Sequence, residues 1–326
     1  MGYQSIITHN DFDGVASAAI CSFVFKIDLI KFSGPNTIAN AEITITENDI
    51  VCDLPYPLIC GLWFDHHEGN LHELKFRNID PESIPGKFDI QPSCARVVFD
   101  YFSGQVQFPE YFKTLVDETD IIDSFNYQSI DDWRKQTPAK IIDATIRLRN
   151  SQLHDKRRYL KMLALEMQHR PLSVIAENEA VQQYYQQYLD EEKEMLELIR
   201  RNSEFVAADK QREIIVLDLT GFNRPPYLIK NLAYLLYPEV KAVLEIKPIF
   251  KNHIKTNNLS FSLSLSLNMN TAEHNKDVGE IMRELNIGDG HKGAAAGTVR
   301  CRSRNEMLKQ KQIILNRIFE LWHNQE

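Results

Sequence analysis

The chain has 326 residues, of which 43% are hydrophobic and 25% charged, with a formal charge of -8 at pH 7 and a pI near 5.7. At roughly 150 residues per domain this length predicts two domains, and the composition is that of an ordinary globular chain. The acidic balance argues against a protein that coats long nucleic acid but permits a local basic pocket, so an anionic substrate has to be met by metal ions and a few chosen cations. The longest apolar run, 15–25, is shorter than the roughly 20 residues that span a bilayer, so no membrane partner is expected. The five cysteines, Cys21, Cys52, Cys60, Cys94 and Cys301, are odd in number and without CxxC spacing, which predicts reduced thiols and a cytoplasmic location.

Residues 5–8 predict a first strand, and 15–25 is apolar and Ala-rich enough for a buried helix. Between them, Thr8-His9-Asn10-Asp11-Phe12-Asp13-Gly14 places one imidazole and two carboxylates at the carboxyl end of a strand, where open α/β sheets bind ligands. His, Asp and Asp at i, i+2 and i+4 can turn their donors toward one point, an arrangement suited to a hard cation such as Mg²⁺ or Mn²⁺. The same stretch reads equally well as a turn, with Gly14 supplying a left-handed conformation. A second strand is predicted over 27–32 with Gly34-Pro35-Asn36 as its turn. A third, 50–52, ends in Asp53, and a fourth, 58–64, ends in Asp65-His66-His67. In a parallel sheet such strand ends lie along one edge, so these residues converge. Asp53 alone also fits a strand-ending turn before Leu54-Pro55, whereas two adjacent imidazoles after an Asp have no obvious packing use.

A first motif of the form HxDxDG (His9 to Gly14), a lone Asp53 and the triplet Asp65-His66-His67, in this order, resemble the DHH-family phosphoesterases. That superfamily includes RecJ exonucleases, nano-RNases that also act as pAp phosphatases, cyclic-dinucleotide phosphodiesterases, exopolyphosphatases and the second class of inorganic pyrophosphatases. The resemblance implies two Mn²⁺ ions, with Mg²⁺ as the alternative: His9 and Asp11 on one, Asp13 and His66 on the other, Asp53 bridging both. It implies that His67 faces the scissile phosphate, while Asp65 fits the task of fixing a histidine's tautomer from behind. A further ligand carboxylate should follow. Helical runs 94–102 and 111–116 lead into Asp117-Glu118-Thr119-Asp120-Ile121-Ile122-Asp123. In related sequences the ligand is commonly followed by two apolar residues, which selects Asp120 with Asp123 in reserve, while Asp117 and Glu118 read as a solvated face.

Residues 137–201 read as helical. Ile141, Ile142, Ala144, Thr145 and Leu148 form one stripe, 159–167 a second, and Val181, Tyr184, Tyr188, Met195 and Ile199 a third, all read as packing, with His154 and His169 as bystanders. The polar stretch 202–212 marks the boundary between a domain over 1–202 and another over 212–326. The second domain predicts a strand at 213–219, a helix over 225–237 with Pro225 in its first turn, and a strand at 243–249. Strict alternation follows over 259–267, then a short helix over 277–285. A glycine-rich loop, 288–297, precedes a strand carrying Arg300 and Arg302, and Ser303-Arg304-Asn305-Glu306 forms a capping box opening a last helix to about Trp322.

The loop Gly288-Asp289-Gly290-His291 resembles the GGGH signature of the DHHA1 domain that accompanies DHH domains. The implied architecture is α/β: an N-terminal parallel-sheet DHH domain and a smaller C-terminal α/β DHHA1 domain with a cleft between them. Gly288, Asp289, Gly290, His291, Lys292 and Arg300 would bind substrate, and His67, Asp65 and His291 would serve catalysis. Asp289 departs from the family's glycine; its carboxylate would repel a phosphate unless it points away or binds a sugar or base. The expected activity is hydrolysis of phosphoesters in a small nucleotide or short oligonucleotide by a two-metal activated water. An exopolyphosphatase is the alternative enzyme, and a decayed nucleotide-binding module the alternative outside catalysis. No Gly-x-Ser-x-Gly elbow supports a serine nucleophile. Expected partners are small phosphorylated molecules rather than long duplexes, with a homodimer left open.

Overall fold

The computed structural model describes residues 2–149, 156–224, 226–270 and 273–325. His154 and Pro225 lie outside the described residues. The chain begins with β1 (Ser5–His9), α1 (Phe12–Phe25), β2 (Ile30–Ser33), α2 (Pro35–Ala39), β3 (Asp49–Cys52), β4 (Leu62–Asp65), α3 (Glu68–Phe76) and β5 (Gly86–Phe88). Helices α4 (Cys94–Ser103), α5 (Tyr111–Asp123), α6 (Ile130–Arg134), α7 (Pro138–Arg147), α8 (Lys156–Met167), α9 (Leu172–Ala176) and α10 (Glu179–Asn202) follow. The remainder is β6 (Ser203–Glu204), β7 (Ile214–Asp218), α11 (Ala233–Leu236), β8 (Ala242–Lys251), β9 (Ile254–Leu265), α12 (Val278–Glu284), β10 (Gly288–Gly290), β11 (Ala294–Val299) and α13 (Arg304–Asn324). Two compact units result, 1–126 with 136–189 and 127–135 with 190–326.

In the first unit five parallel strands run in the order β2-β1-β3-β4-β5. Side chains alternate between the faces: Ile6, Ile50 and Phe64 pack with α1, α4 and α8, while Ile7, Val51 and Trp63 pack with Ile38, Leu54 and Leu74. Burial of both faces explains why the strands read as continuous apolar runs. The chain reverses direction across the sheet between β1 and β3, and such a switch point leaves a crevice at the carboxyl ends of those strands. Here the second strand starts at Ile30, and Gly34-Pro35-Asn36 opens a short helix because proline suits a first helical turn. The fourth strand begins only at Leu62, leaving Leu58 and Ile59 exposed. β5 is a short edge strand that no apolar run announces.

The second unit has a mixed six-stranded sheet, order β10-β11-β9-β8-β7-β6, in which β7 and β8 pair in parallel and the other neighbours are antiparallel. One face, with Leu244, Ile246, Phe261 and Leu263, packs against Ile281 of α12 and Ile318, Phe319 and Trp322 of α13. The helix expected over 225–237 shrinks to a 3-10 turn at Lys230–Leu232 and the single turn of α11. Its buried residues, Leu232, Ala233 and Tyr234, are consecutive, and the Tyr234 hydroxyl donates to the Ser264 carbonyl at 2.8 Å. The glycine-rich segment is a hairpin rather than a loop, with β10 and β11 joined at Lys292-Gly293. Close strand approach selects glycine there: a Cβ on Gly288 would lie 2.0 Å from the Ala296 carbonyl oxygen. β11 ends at Val299, so Arg300 and Arg302 follow the strand instead of lying on it. Ser303 caps α13 as the sequence predicts, its Oγ accepting from the Glu306 amide at 3.2 Å. Among the described residues no helix is long and apolar enough to cross a membrane, and all five cysteines are free.

Glu213 ties the sheet to α13, accepting from the Trp322 indole at 2.7 Å and from the Lys241 ammonium. Burial alone would raise its pKa, but these donors hold the carboxyl below its usual range. A depressed folded-state pKa gives stability that is present above the unfolded value and lost as pH falls through the folded one. Glu213→Gln is therefore expected to cost about 1–3 kcal/mol at pH 7, with the gap to wild type closing below pH 4 in urea titrations; a gap independent of pH would refute this.

Candidate metal centre

His9 is the last residue of β1, and Asp11 caps α1, its carboxylate accepting from the Gly14 amide at 2.9 Å. Gly14 sits within the helix, where a Cβ would lie 2.3 Å from the His9 carbonyl oxygen. Close approach of helix to strand end, not a left-handed backbone, is what requires glycine. Asp13 is buried in the first turn of α1, and its two oxygens accept from the Cys94 and Ala95 amides at 2.7 and 2.8 Å. These are the first residues of α4, so a helix N-terminus holds the carboxylate. Asp53, directly after β3, adopts φ 56, a left-handed conformation costing a non-glycine residue about 1–3 kcal/mol. Asp65 ends β4 fully buried.

These strand ends bring six expected residues together, and Asp123 joins them. Three donor groups each lie within 4.8 Å: His9, Asp11 and Asp53; Asp13, His66 and Asp123; Asp53, His66 and His67. Asp53 faces both sides, Oδ2 lying 3.6 Å from His9 Nδ1 and Oδ1 3.7 Å from His66 Nε2. His66 Nε2 is also 3.6 Å from Asp13 and 3.4 Å from Asp123. Its Nδ1 lies 3.0 Å from the Gln91 carbonyl, which can only accept, so in the neutral ring Nδ1 carries the proton and Nε2 presents a lone pair to three carboxylates. Among the described residues His66 Nε2 and Asp53 Oδ2 are buried without any hydrogen-bond partner. Such an arrangement is unfavourable unless cations lie between the groups. Imidazole and carboxylate donors in this mixture fit Mn²⁺ or Mg²⁺. Burial pushes the Asp13 and Asp53 carboxyls well above the ordinary range; Asp123 and Asp11 add to the rise at Asp13, and Asp13, Asp11 and Asp123 at Asp53. A bound cation would oppose that rise.

Asp120 is placed elsewhere. It accepts from Ser93 Oγ at 2.6 Å and from the Arg96 guanidinium at 2.6 and 2.9 Å, and Arg96 also holds Asp117 at 2.6 Å. Asp123, one helical turn on at the end of α5, is the carboxylate that reaches His66. Ser93 and Arg96, which the sequence reading passed over, tie α5 to the α4 N-terminus that holds Asp13. The signal available was Gln91-Pro92-Ser93 before an apolar run, a helix start with a serine cap. Asp143 of α7 was also missed: it accepts from Arg147 at 2.7 Å, while its Oδ1 is buried without a partner among the described residues.

Asp65 accepts from Asn70 at 2.7 Å and lies 2.9 Å from His67 Nδ1. That hydrogen bond raises the pKa of His67, which is half exposed. In the second unit Asp289 pairs with Arg283 of α12 at 2.8 Å and accepts from the Gly290 amide at 2.8 Å, so its charge is paired with a cation of the neighbouring helix. His291 and Lys292 are exposed at the turn. Arg300 lies past the other end of β11, roughly 20 Å away at 3.4 Å per residue, so the structure does not bring it to His291 and Lys292.

No protein-family model and no curated protein matches the sequence. Solved structures do match. The pGpG-specific phosphodiesterase PggH from Vibrio cholerae gives a TM-score of 0.68 at 22% identity, over 96% of this chain and 98% of that one. The DHH domain of a member of the s1p family of ribosomal proteins gives 0.57 at 12% identity, over 98% and 87%. RecJ from Thermus thermophilus, in complex with Mn²⁺, gives 0.53 at 12% identity, over 99% of this chain and 52% of that one. The parallel five-stranded unit, the six-stranded unit that follows it and these matches together establish that the chain has the fold of the DHH-family phosphoesterases.

Proposed function

We propose that this chain is a divalent-metal-dependent phosphoesterase acting on a small linear nucleotide or short oligonucleotide. The observation that carries this reading is Asp53, buried and left-handed, with one oxygen toward His9 and the other toward an unpartnered His66 nitrogen. His9 and Asp11 would hold one cation, Asp13, His66 and Asp123 a second, with Asp53 shared. Divalent ions held there would supply charge to a phosphoryl group and would bring the pKa of a bound water down toward neutrality. His67, hydrogen-bonded to Asp65, would donate to a phosphate oxygen. His291, Lys292 and the backbone amides around them offer the second unit's anion-binding groups. A short dinucleotide is favoured over a polymer because the match to a pGpG-specific phosphodiesterase runs nearly the full length of both chains.

Mn²⁺ is expected to raise the thermal midpoint of EDTA-stripped protein, by about 2.7 kcal/mol of stabilisation at a hundred times its Kd. Asp53→Asn should abolish that rise while leaving the metal-free protein at least as stable as wild type, since one buried charge is removed; scanning fluorimetry reads both, and an undiminished Mn²⁺ shift would exclude Asp53 as a ligand. Calorimetric Mn²⁺ titration should show Asp123→Asn weakening binding more than Asp120→Asn, with Arg96→Met weakening it about tenfold through loss of support. The reverse order of the two aspartates would return Asp120 to the ligand set. Mn²⁺-loaded protein should release nucleotide or phosphate from pGpG, another dinucleotide or pAp, and lose roughly a thousandfold in rate in His66→Ala. Turnover of polyphosphate alone would move the substrate to phosphoanhydrides, and silence on all substrates with Mn²⁺ bound would favour a binding module.

A further inference from the structure

The second unit contains a cavity of about 470 Å³ remote from the hairpin turn, lined by Thr220, Asn223, Lys255, Asn257, Arg304 and Met307 among others, and none of its lining residues is acidic. Its charged side chains are both cations, Lys255 and Arg304, in a chain of net charge -8. Lys255 Nζ donates to the Thr220 carbonyl at 2.8 Å, a neutral partner that leaves its charge uncompensated. Among the described residues neither Lys255 nor Arg304 forms an ion pair with a carboxylate, although other cations of this unit that border a strand or helix end do, as at Lys241 with Glu213 and Arg283 with Asp289. The nearby Asp218 is already engaged by Lys311 at 2.6 Å and by the Thr220 hydroxyl. Glu306, in the first turn of α13, accepts from the Arg302 amide at 2.7 Å.

The position is one that α/β folds use. Thr220 to Asn223 follow the carboxyl end of β7, which pairs in parallel with β8, and ligands bind outside such ends. Arg304 lies beyond the carboxyl end of β11, whereas His291 and Lys292 precede its amino end, so roughly 20 Å of strand separates the cavity from the turn.

We infer that this cavity is a second anion site, for a phosphomonoester carried on a polar ring, of mononucleotide size. Lys255 and Arg304 meet the phosphate, the guanidinium offering paired donors that match its oxygens. Asn223 and Asn257 present side-chain amides able both to donate and to accept along a ring edge. Met307 and Leu308 add the apolar surface that small-ligand pockets combine with a few polar groups, and the volume lies in the range of such pockets. The site uses no metal and no residue of the metal centre, so it stands whether or not the chain is a phosphoesterase.

The test is calorimetry on the full-length protein in EDTA, which keeps the metal centre from contributing, with AMP, GMP, adenosine, guanosine and inorganic phosphate as separate probes. One AMP or GMP should bind per chain, with the nucleosides and inorganic phosphate each about tenfold weaker or more. Lys255→Met and Arg304→Met, both at or near the surface and checked for an unchanged thermal midpoint, should each weaken nucleotide binding by about tenfold or more, while Lys210→Met, an exposed cation before the amino end of β7, leaves it unchanged. Absence of binding at millimolar AMP and GMP would overturn the inference. So would inorganic phosphate binding as tightly as the nucleotides, affinity retained in both cavity variants, or affinity lost in Lys210→Met.

Discussion

The constraint on which the first unit depends is a carboxylate buried against a helix end. Asp13 cannot be hydrated where it sits, and both its oxygens are satisfied by the first amides of α4. That contact locks α1, which issues from β1, to a helix about 80 residues further along the chain. Ser93 caps the same helix and also donates to Asp120, while Arg96 grips Asp120 and Asp117. The α4 N-terminus thus sets the positions of two carboxylates at once, Asp13 directly and Asp123 through the last turn of α5. What remains unbalanced is the negative charge itself, gathered on Asp11, Asp13, Asp53 and Asp123 around the imidazoles of His9 and His66. A polypeptide can hold such a group in place by hydrogen bonds, but neutralising it calls for cations from outside the chain.

The second unit follows a different logic. Its sheet is largely antiparallel, with one face packed under α12 and α13 and serines of β9 on the other, which is why β9 and β11 alternate where the strands of the first unit run continuously apolar. Ion pairs there do local work: Arg283 neutralises the aspartate that interrupts the glycine hairpin, and Glu213 anchors α13 to β7. The departure from a glycine at Asp289 is therefore absorbed by a cation of α12, and its side chain presents less negative charge than an isolated carboxylate would.

Legibility differed from residue to residue for physical reasons. His9, Asp11, Asp13, Asp53 and His66 were legible because each stands at or just after the end of an apolar strand, and parallel topology sends such ends to one edge. Asp120 and Asp123 were not separable because they lie on one face of the same helix, one turn apart, and the choice was made by Arg96, a partner 24 residues away. The hairpin at 288–299 was read as a loop since glycine and alanine carry no periodic pattern of size or polarity, although burial alternates residue by residue along β11. The overlong helix at 225–237 erred because apolar content was taken for helical spacing.

By itself the sequence determined the first four strands of the first unit and the kinds of donor available at their ends, because these follow from local hydrophobic pattern and residue chemistry. Tertiary structure alone decided which acid meets His66, that Gly14 is a matter of close approach, that Arg300 stands a strand's length from His291, and that Lys255 and Arg304 share a cavity. Those are distances between residues remote in sequence, and they depend on sheet order and helix packing, which no local pattern encodes.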